Sequence, residues 1–114
     1  MIELAAKTCM PCQGGVPPLS SEKSHQLLSE LHQDWSLIDN HHLQRSFCFP
    51  DFKQALDFTV KVGHIAEEQG HHPDINLRWG KVEIQIWTHK IDGLAESDFI
   101  LAAKIDKLCA SSGI

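Results

Sequence analysis

The clearest hydrophobic period in the chain runs from about Asp51 to Gln69, where Phe52, Leu56, Thr59, Val62 or Gly63, and Ala66 recur at three- and four-residue steps. That spacing predicts an amphipathic helix with this stripe turned to the core. Lys53, Asp57, Lys61 and Glu68 are left for the wet face. Pro50-Asp51 opens the helix, and Gly70 suits the left-handed residue that ends one. Further on, Val82, Ile84 and Ile86 alternate with Glu83, Gln85 and Trp87, the signature of a half-buried strand, here running to about Thr88. Ile75 to Trp79 forms a loop or shorter strand before a turn at Gly80. Upstream, Trp35, Leu37 and the alternation Leu43, Arg45, Phe47, Phe49 predict two short strands, and Asp39-Asn40 between them has hairpin-turn chemistry. Ser20 or Ser21 can cap a first helix reaching about Leu31, with Leu27, Leu28 and Leu31 on one face. After a break at Asp92-Gly93, a final helix of about Glu96 to Cys109 buries some of Phe99, Ala102, Ala103, Ile105 and Leu108.

The resulting order is helix, two strands, helix, two strands, helix. It predicts the α+β class, a four-stranded antiparallel sheet with helices packed on one face. Residues 1–18 show no apolar period and are punctuated by Gly14-Gly15 and Pro17-Pro18, so they read as an N-terminal arm or tail. Residues 19–114 then form one domain, as the length of 114 residues suits.

Composition narrows the function classes. The formal charge is −5 and no cluster of Lys and Arg forms a basic stripe, which argues against a nucleic-acid partner. No run approaches the ~18 apolar residues of a membrane span. The opening Met1-Ile2-Glu3-Leu4 lacks the basic and apolar regions of a secretion signal, so a cytoplasmic location with four reduced cysteines is expected.

Eight histidines are unusual for this length. His25, His32, His41, His42 and His64 read as surface residues. His71 and His72 are different, because Gly70 ends a helix and Pro73 bars the helical region to the residue before it. Both imidazoles therefore occupy a sharply bent segment where neighbouring side chains can diverge into a pocket. His89 closes the strongest strand, Glu67 lies one helical turn before His71, and Asp98 falls in the first turn of the last helix. Taken singly, each has a plain explanation: a solvated His pair, a solvated Glu67, and an Asp98 that complements a helix N-terminus.

The string Glu67-x3-His71-His72-Pro73-x5-Trp79-x9-His89-x8-Asp98 resembles the signature of the pterin-4α-carbinolamine dehydratases, also called the dimerisation cofactor family. The likeness extends to Trp35-Ser36, Phe47-x-Phe-x-x-Phe52 and Gly93-Leu94, covering roughly Ser20 to Leu108. Cys9-Met10-Pro11-Cys12-x-Gly-Gly looks like the N-terminus of some bacterial members. Gly70 replaces an acidic residue, and Ala95 sits where a Ser or Thr cap is common.

The resemblance implies dehydration of a 4a-hydroxytetrahydropterin to a quinonoid dihydropterin, recycling the pterin of aromatic amino acid hydroxylation. Such a reaction needs an acid for the departing oxygen and a base for a ring N–H, and histidine suits both roles. His71, His72 and His89 are the expected catalytic residues, with no metal or organic cofactor. Glu67, Trp79, Thr88 and Asp98 are the expected substrate-binding set, Glu67 and Asp98 either orienting an imidazole or holding the pterin's amino-pyrimidine edge. The implied partners are the pterin itself and further copies of the chain, as a homodimer or homotetramer, with a functional link to a pterin-dependent hydroxylase.

Three other readings stand beside this one. Three histidines with a carboxylate can hold zinc, although adjacent side chains diverge. Cys9-x-x-Cys12 could form half of a structural zinc site shared between two chains, Cys48 and Cys109 lying in elements that look buried. A non-enzymatic dimerisation or binding module that stabilises a partner protein is the alternative function, since animal relatives stabilise dimers of a homeodomain transcription factor.

Overall fold

The computed structural model describes residues 3–10 and 16–112. Its elements run α1 (Ser21–Leu28), β1 (Ser36–Ile38), β2 (His42–Cys48), α2 (Phe52–Gln69), β3 (Asp74–Arg78), β4 (Lys81–Ile86) and α3 (Glu96–Ser112). Single 3-10 turns sit at Leu4–Ala6 and His89–Ile91. The four strands form one antiparallel sheet in the order β1-β2-β4-β3, the expected α+β architecture. β4 is thus a central strand, which accounts for its strong alternation: Val82, Ile84 and Ile86 are fully buried. They share a face with Leu43 and Phe47 of β2, and Phe58 of α2 packs on Phe47 at 4.7 Å between ring centres. The opposite face carries His42, Gln44, Ser46, Glu83 and Gln85, with Gln85 donating to Gln44 across the strands.

Local chemistry fixes several boundaries. Ser20 caps α1 by accepting from the Lys23 N–H, and Asp51 caps α2 by accepting from the Gln54 N–H. Asp39 and Asn40 both take positive φ, the backbone that a tight hairpin of this kind needs and that these residue types tolerate. α1 stops at Leu28, short of Leu31, and loosens into single turns. β4 stops at Ile86, with Thr88 making only an isolated bridge to Gly93.

The expected core face of α2 changes. The core face of α2 is Ala55, Phe58, Val62 and Ala66, whereas Phe52 and Leu56 are 44% and 40% exposed. α2 carries two apolar stripes, and the one with Phe58 wins because its ring fits between Phe47 and Phe49. Phe52, Leu56 and Val60 are left as an apolar line on the outside.

Of the N-terminal residues, 3–10 and 16–18 are described. Leu4 and Cys9 are core residues, and the Leu4–Ala6 turn lies against α3, where Lys104 Nζ donates to the Ala5 carbonyl. The reason lies in α3 itself, whose Phe99, Ile100, Leu101, Ala102 and Ala103 are all buried. A helix apolar all round must be covered on every side, and the arm supplies the missing cover. Gly93 permits the arm's last turn to approach, since a side chain there would meet the Pro18 ring at 2.7 Å.

A polar cluster crosses the far end of the core. Arg45, 7% exposed, donates to Asp106 at 2.6 Å, and the same carboxylate accepts from Trp35 Nε1 and the His32 N–H. Cys9 and Cys109 are buried and Cys48 is exposed, so the expectation of a buried Cys48 fails: its side chain points to the open face of the sheet. Cys12 lies outside the described residues.

Candidate active site

The site begins at the C-terminus of α2. Gly70 takes φ +64°, its N–H bonds the Glu67 carbonyl, and the His71 N–H bonds the Ala66 carbonyl. This double closure is a Schellman motif, and it folds the chain back over the helix end. His71 is thereby thrust toward the start of α3, while His72, held extended by Pro73, points the other way. The two imidazoles acquire different partners. His71 Nε2 lies 2.6 Å from Asp98 Oδ1, with His71 only 13% and Asp98 0% exposed. His72 Nε2 meets Glu67 Oε2, both well exposed.

Asp98 is the buried centre of the arrangement. Besides His71 it accepts from Thr88 Oγ1 at 2.8 Å and from the Ala95 N–H at 2.8 Å. Three donors on one carboxylate satisfy a group that burial would otherwise penalise severely. The Ala95 bond is half of a capping box, the half made by the residue three places into the helix. Ala95 lacks the hydroxyl for the other half, and that departure leaves Asp98 untouched. A carboxylate that already accepts from two donors suits a His71 that donates its Nε2–H, with Nδ1 as the ring's second nitrogen.

His89 lies in the 3-10 turn after β4 and stacks on Trp87, with ring centres 4.3 Å apart and planes 11° apart. The cleft between this turn and the α2 exit, about 410 Å³, is lined by His71, His72, Pro73, Trp87, Thr88 and His89 among others. A second, more apolar cleft of about 350 Å³ lies behind His71 and Thr88, against Met10, Val16, Leu94 and Ile100.

Of the residues singled out in the sequence, His71, His72, His89 and Thr88 come together in one cleft, with Asp98 beneath it and Glu67 at its rim. Trp79 does not join them. It sits on the β3–β4 turn, 68% exposed, at the end of β3 away from the histidine pair. Five residues of strand, at roughly 3.4 Å each, put about 17 Å between the two ends. Trp87, His41 and His42 were not expected there, yet both histidines approach the Trp87 ring, at 5.4 and 5.6 Å. Their meeting depends on the β2–β4 register, a non-local pairing with no local signal. Among the described residues, no group of three or more His, Cys, Asp or Glu side chains is arranged to hold a metal ion. Burial pushes the Cys9 thiol up to about 11, and the thiol donates to the Ser97 carbonyl, as a packed core cysteine does.

Comparison with known proteins fits this geometry to a family. The family model described as pterin 4 alpha carbinolamine dehydratase matches residues 17–108. The chain belongs to that family. A relative from Alkaliphilus metalliredigens, provisionally named a pterin-4-alpha-carbinolamine dehydratase, is 55% identical over 107 residues, 94% of this chain and 96% of its own. One from Rubrobacter xylanophilus with the same provisional name is 57% identical over 108 residues, 95% of this chain and 100% of its own. Among solved structures, a transcriptional coactivator/pterin dehydratase from Brucella melitensis is similar with TM-score 0.74 and 28% identity, over 80% of this chain and 97% of that one. A pterin dehydratase-like protein identified as a RuBisCO assembly factor in the alpha-carboxysome is similar with TM-score 0.57 and 26% identity, over 68% of this chain and 90% of that one. The matched span includes every residue that lines the cleft.

Proposed function

We propose that this chain is a hydro-lyase that dehydrates a 4a-hydroxytetrahydropterin to a quinonoid dihydropterin with His71, His72 and His89. The observation that carries the reading is the buried Asp98–His71 bond at the floor of a cleft whose rim holds the other two imidazoles. In the reaction the C4a–O bond breaks as the oxygen takes a proton and leaves as water. A C=N bond forms from the adjacent ring nitrogen, and a ring N–H proton is surrendered. One imidazolium and one neutral imidazole perform the two transfers, each worth ~10²–10⁴-fold. Asp98 sets His71 with Nδ1 toward the cleft, Glu67 orients His72, and His89 on its Trp87 platform binds or polarises the pterin. The Thr88 oxygen, its proton committed to Asp98, is left to accept from the substrate.

In this reading the enzyme works in the cytoplasm without metal or organic cofactor and recycles the pterin of an aromatic amino acid hydroxylase. It self-associates as a homodimer or homotetramer, and the exposed line Phe52, Leu56 and Val60 on α2 supports this. The test is turnover of chemically made 4a-hydroxytetrahydropterin above its spontaneous dehydration, before and after dialysis against a chelator. Turnover unchanged by the chelator is expected. Loss that zinc restores would replace the histidine-only chemistry with a metal site.

A second reading is a non-enzymatic binding module, favoured by the likeness to the RuBisCO assembly factor. A pure binder tolerates His71→Ala and His72→Ala with its partner affinity intact and shows no turnover in the wild type.

A further inference from the structure

The β1–β2 turn and the 3-10 turn bearing His89 are far apart in sequence but are tied side chain to side chain. His41 Nε2 lies 2.7 Å from Asp92 Oδ1, and His41 Nδ1 lies 3.0 Å from His42 Nδ1. Burial, and after it the neighbouring His41, hold His42 below the usual histidine range. Asp92 accepts from His41 Nε2–H, and of the two facing Nδ1 atoms one donates to the other. Asp92 terminates the turn His89–Ile91 in a left-handed backbone, φ +47°, and its N–H bonds the His89 carbonyl. At the base of the same turn the Thr88 and Gly93 backbones bond each other in both directions. The turn is therefore closed at its root by backbone, and beside that root the exposed Asp92 side chain ties it to the β1–β2 turn. Trp87 fills the space between, stacked on His89 and flanked by His41 and His42.

We propose that His41 is a positioning residue for His89: its bond to Asp92 fixes the 3-10 turn so that the His89 ring stays stacked on Trp87 and faces the cleft. Two facts argue that this is more than surface decoration. A non-glycine residue at positive φ costs energy that local contacts must offset, and the carboxylate of Asp92 makes that contact through His41. The turn's four backbone bonds, Thr88 and Gly93 in both directions, Ile91 N–H to Thr88 and Asp92 N–H to His89, fix its internal path, and the His41–Asp92 bond adds a tie between it and the β1–β2 turn. The proposal rests on the dehydratase reading only for its effect on turnover, because the placement of His89 can be followed without substrate.

The test uses the full chain in five forms: wild type, His41→Ala, His41→Gln, Asp92→Gly and, for assignment, His89→Gln. The His89 ring protons, assigned by their loss in His89→Gln, are read by NMR, since stacking on an indole displaces them from the free-histidine position. In His41→Ala they should move toward that position. Asp92→Gly keeps the left-handed backbone without strain and removes the carboxylate, so it should do the same. His41→Gln retains a donor for Asp92 and should restore most of the displacement. With substrate, His41→Ala should lower kcat about tenfold, within the ~10²-fold that misplacement of a catalytic group costs, with KM changed less than about twofold. If His41→Ala does not fold, Asp92→Gly and His41→Gln carry the comparison. A His89 signal unmoved in Asp92→Gly overturns the proposal. Absence of wild-type turnover overturns the dehydratase reading instead, and the NMR comparison then decides the clamp by itself.

Discussion

His71 donates its Nε2–H to the fully buried Asp98 at 2.6 Å, across the junction between the end of α2 and the start of α3. Few side chains are as fully committed as this carboxylate, whose other donors are Thr88 and the Ala95 N–H. Replacing it by an amide turns a pure acceptor into a group with one donor end, which either faces the Ala95 N–H or forces His71 into the tautomer that accepts at Nε2. Asp98→Asn is therefore expected to lower kcat by about 10²-fold. It should also destabilise the fold by about 1–3 kcal/mol, from the misfit of buried polar groups. Steady-state turnover and urea unfolding check the two effects separately.

Glu67 and His72 form the exposed counterpart of that pair. Exposed ion pairs contribute little, so Glu67→Gln should change stability by less than about 1 kcal/mol. Its effect belongs to catalysis, where loss of the orienting carboxylate should reduce kcat without unfolding the chain. Urea midpoints equal within error, together with lowered kcat, are the expected outcome.

Arg45 and Asp106 are paired inside the core, away from the cleft. Removing one partner leaves a buried charge without its counterion, which typically costs about 3–5 kcal/mol. Asp106→Ala should destabilise the protein by that amount, since Trp35 Nε1 and the His32 N–H lose the same acceptor. Chemical denaturation measures it. An effect below about 1 kcal/mol would show that water replaces the carboxylate.

The thiols should differ in reactivity. The Cys9 thiol is pushed up to about 11 by burial and stays neutral at pH 8, and Cys109 is raised for the same reason. Cys48 is exposed. Iodoacetamide at pH 8 should label Cys48 and spare Cys9 and Cys109 in the folded protein, as peptide mapping by mass spectrometry can read. The sign of the pH effect on stability follows. Between the ordinary value of 9.0 and the folded value of about 11, the folded Cys9 holds its proton while the unfolded one releases it. Stability should fall as pH rises through that window.

Much of this was legible in the sequence because it is local. Gly70 and Pro73 bracket a helix exit through their own backbone preferences, so the bend that separates His71 from His72 is written in four residues. The Asp39-Asn40 turn and the β4 alternation are local in the same sense. What was hidden depends on partners distant in the chain. Two apolar stripes on α2 look alike until Phe58 meets Phe47 and Phe49. The arm has no period of its own, and only the unbroken apolar run Phe99 to Ala103 signals that α3 needs a second cover. His41 and His42 look like any solvated pair until the β2–β4 register carries them to Trp87. Trp79 matched a spacing, but the hairpin turns it to the end of the sheet away from the cleft.

The most direct measurement is the rate at which 4a-hydroxytetrahydropterin is dehydrated, followed by ultraviolet absorbance against the spontaneous background. It is made on the wild type and on His71→Ala, His72→Ala and His89→Ala. Wild-type turnover should clearly exceed the background, with each substitution lowering it and the combination of His71→Ala and His72→Ala abolishing it. Wild-type protein no faster than background, or a double variant as fast as wild type, would contradict the acid–base role of this cleft.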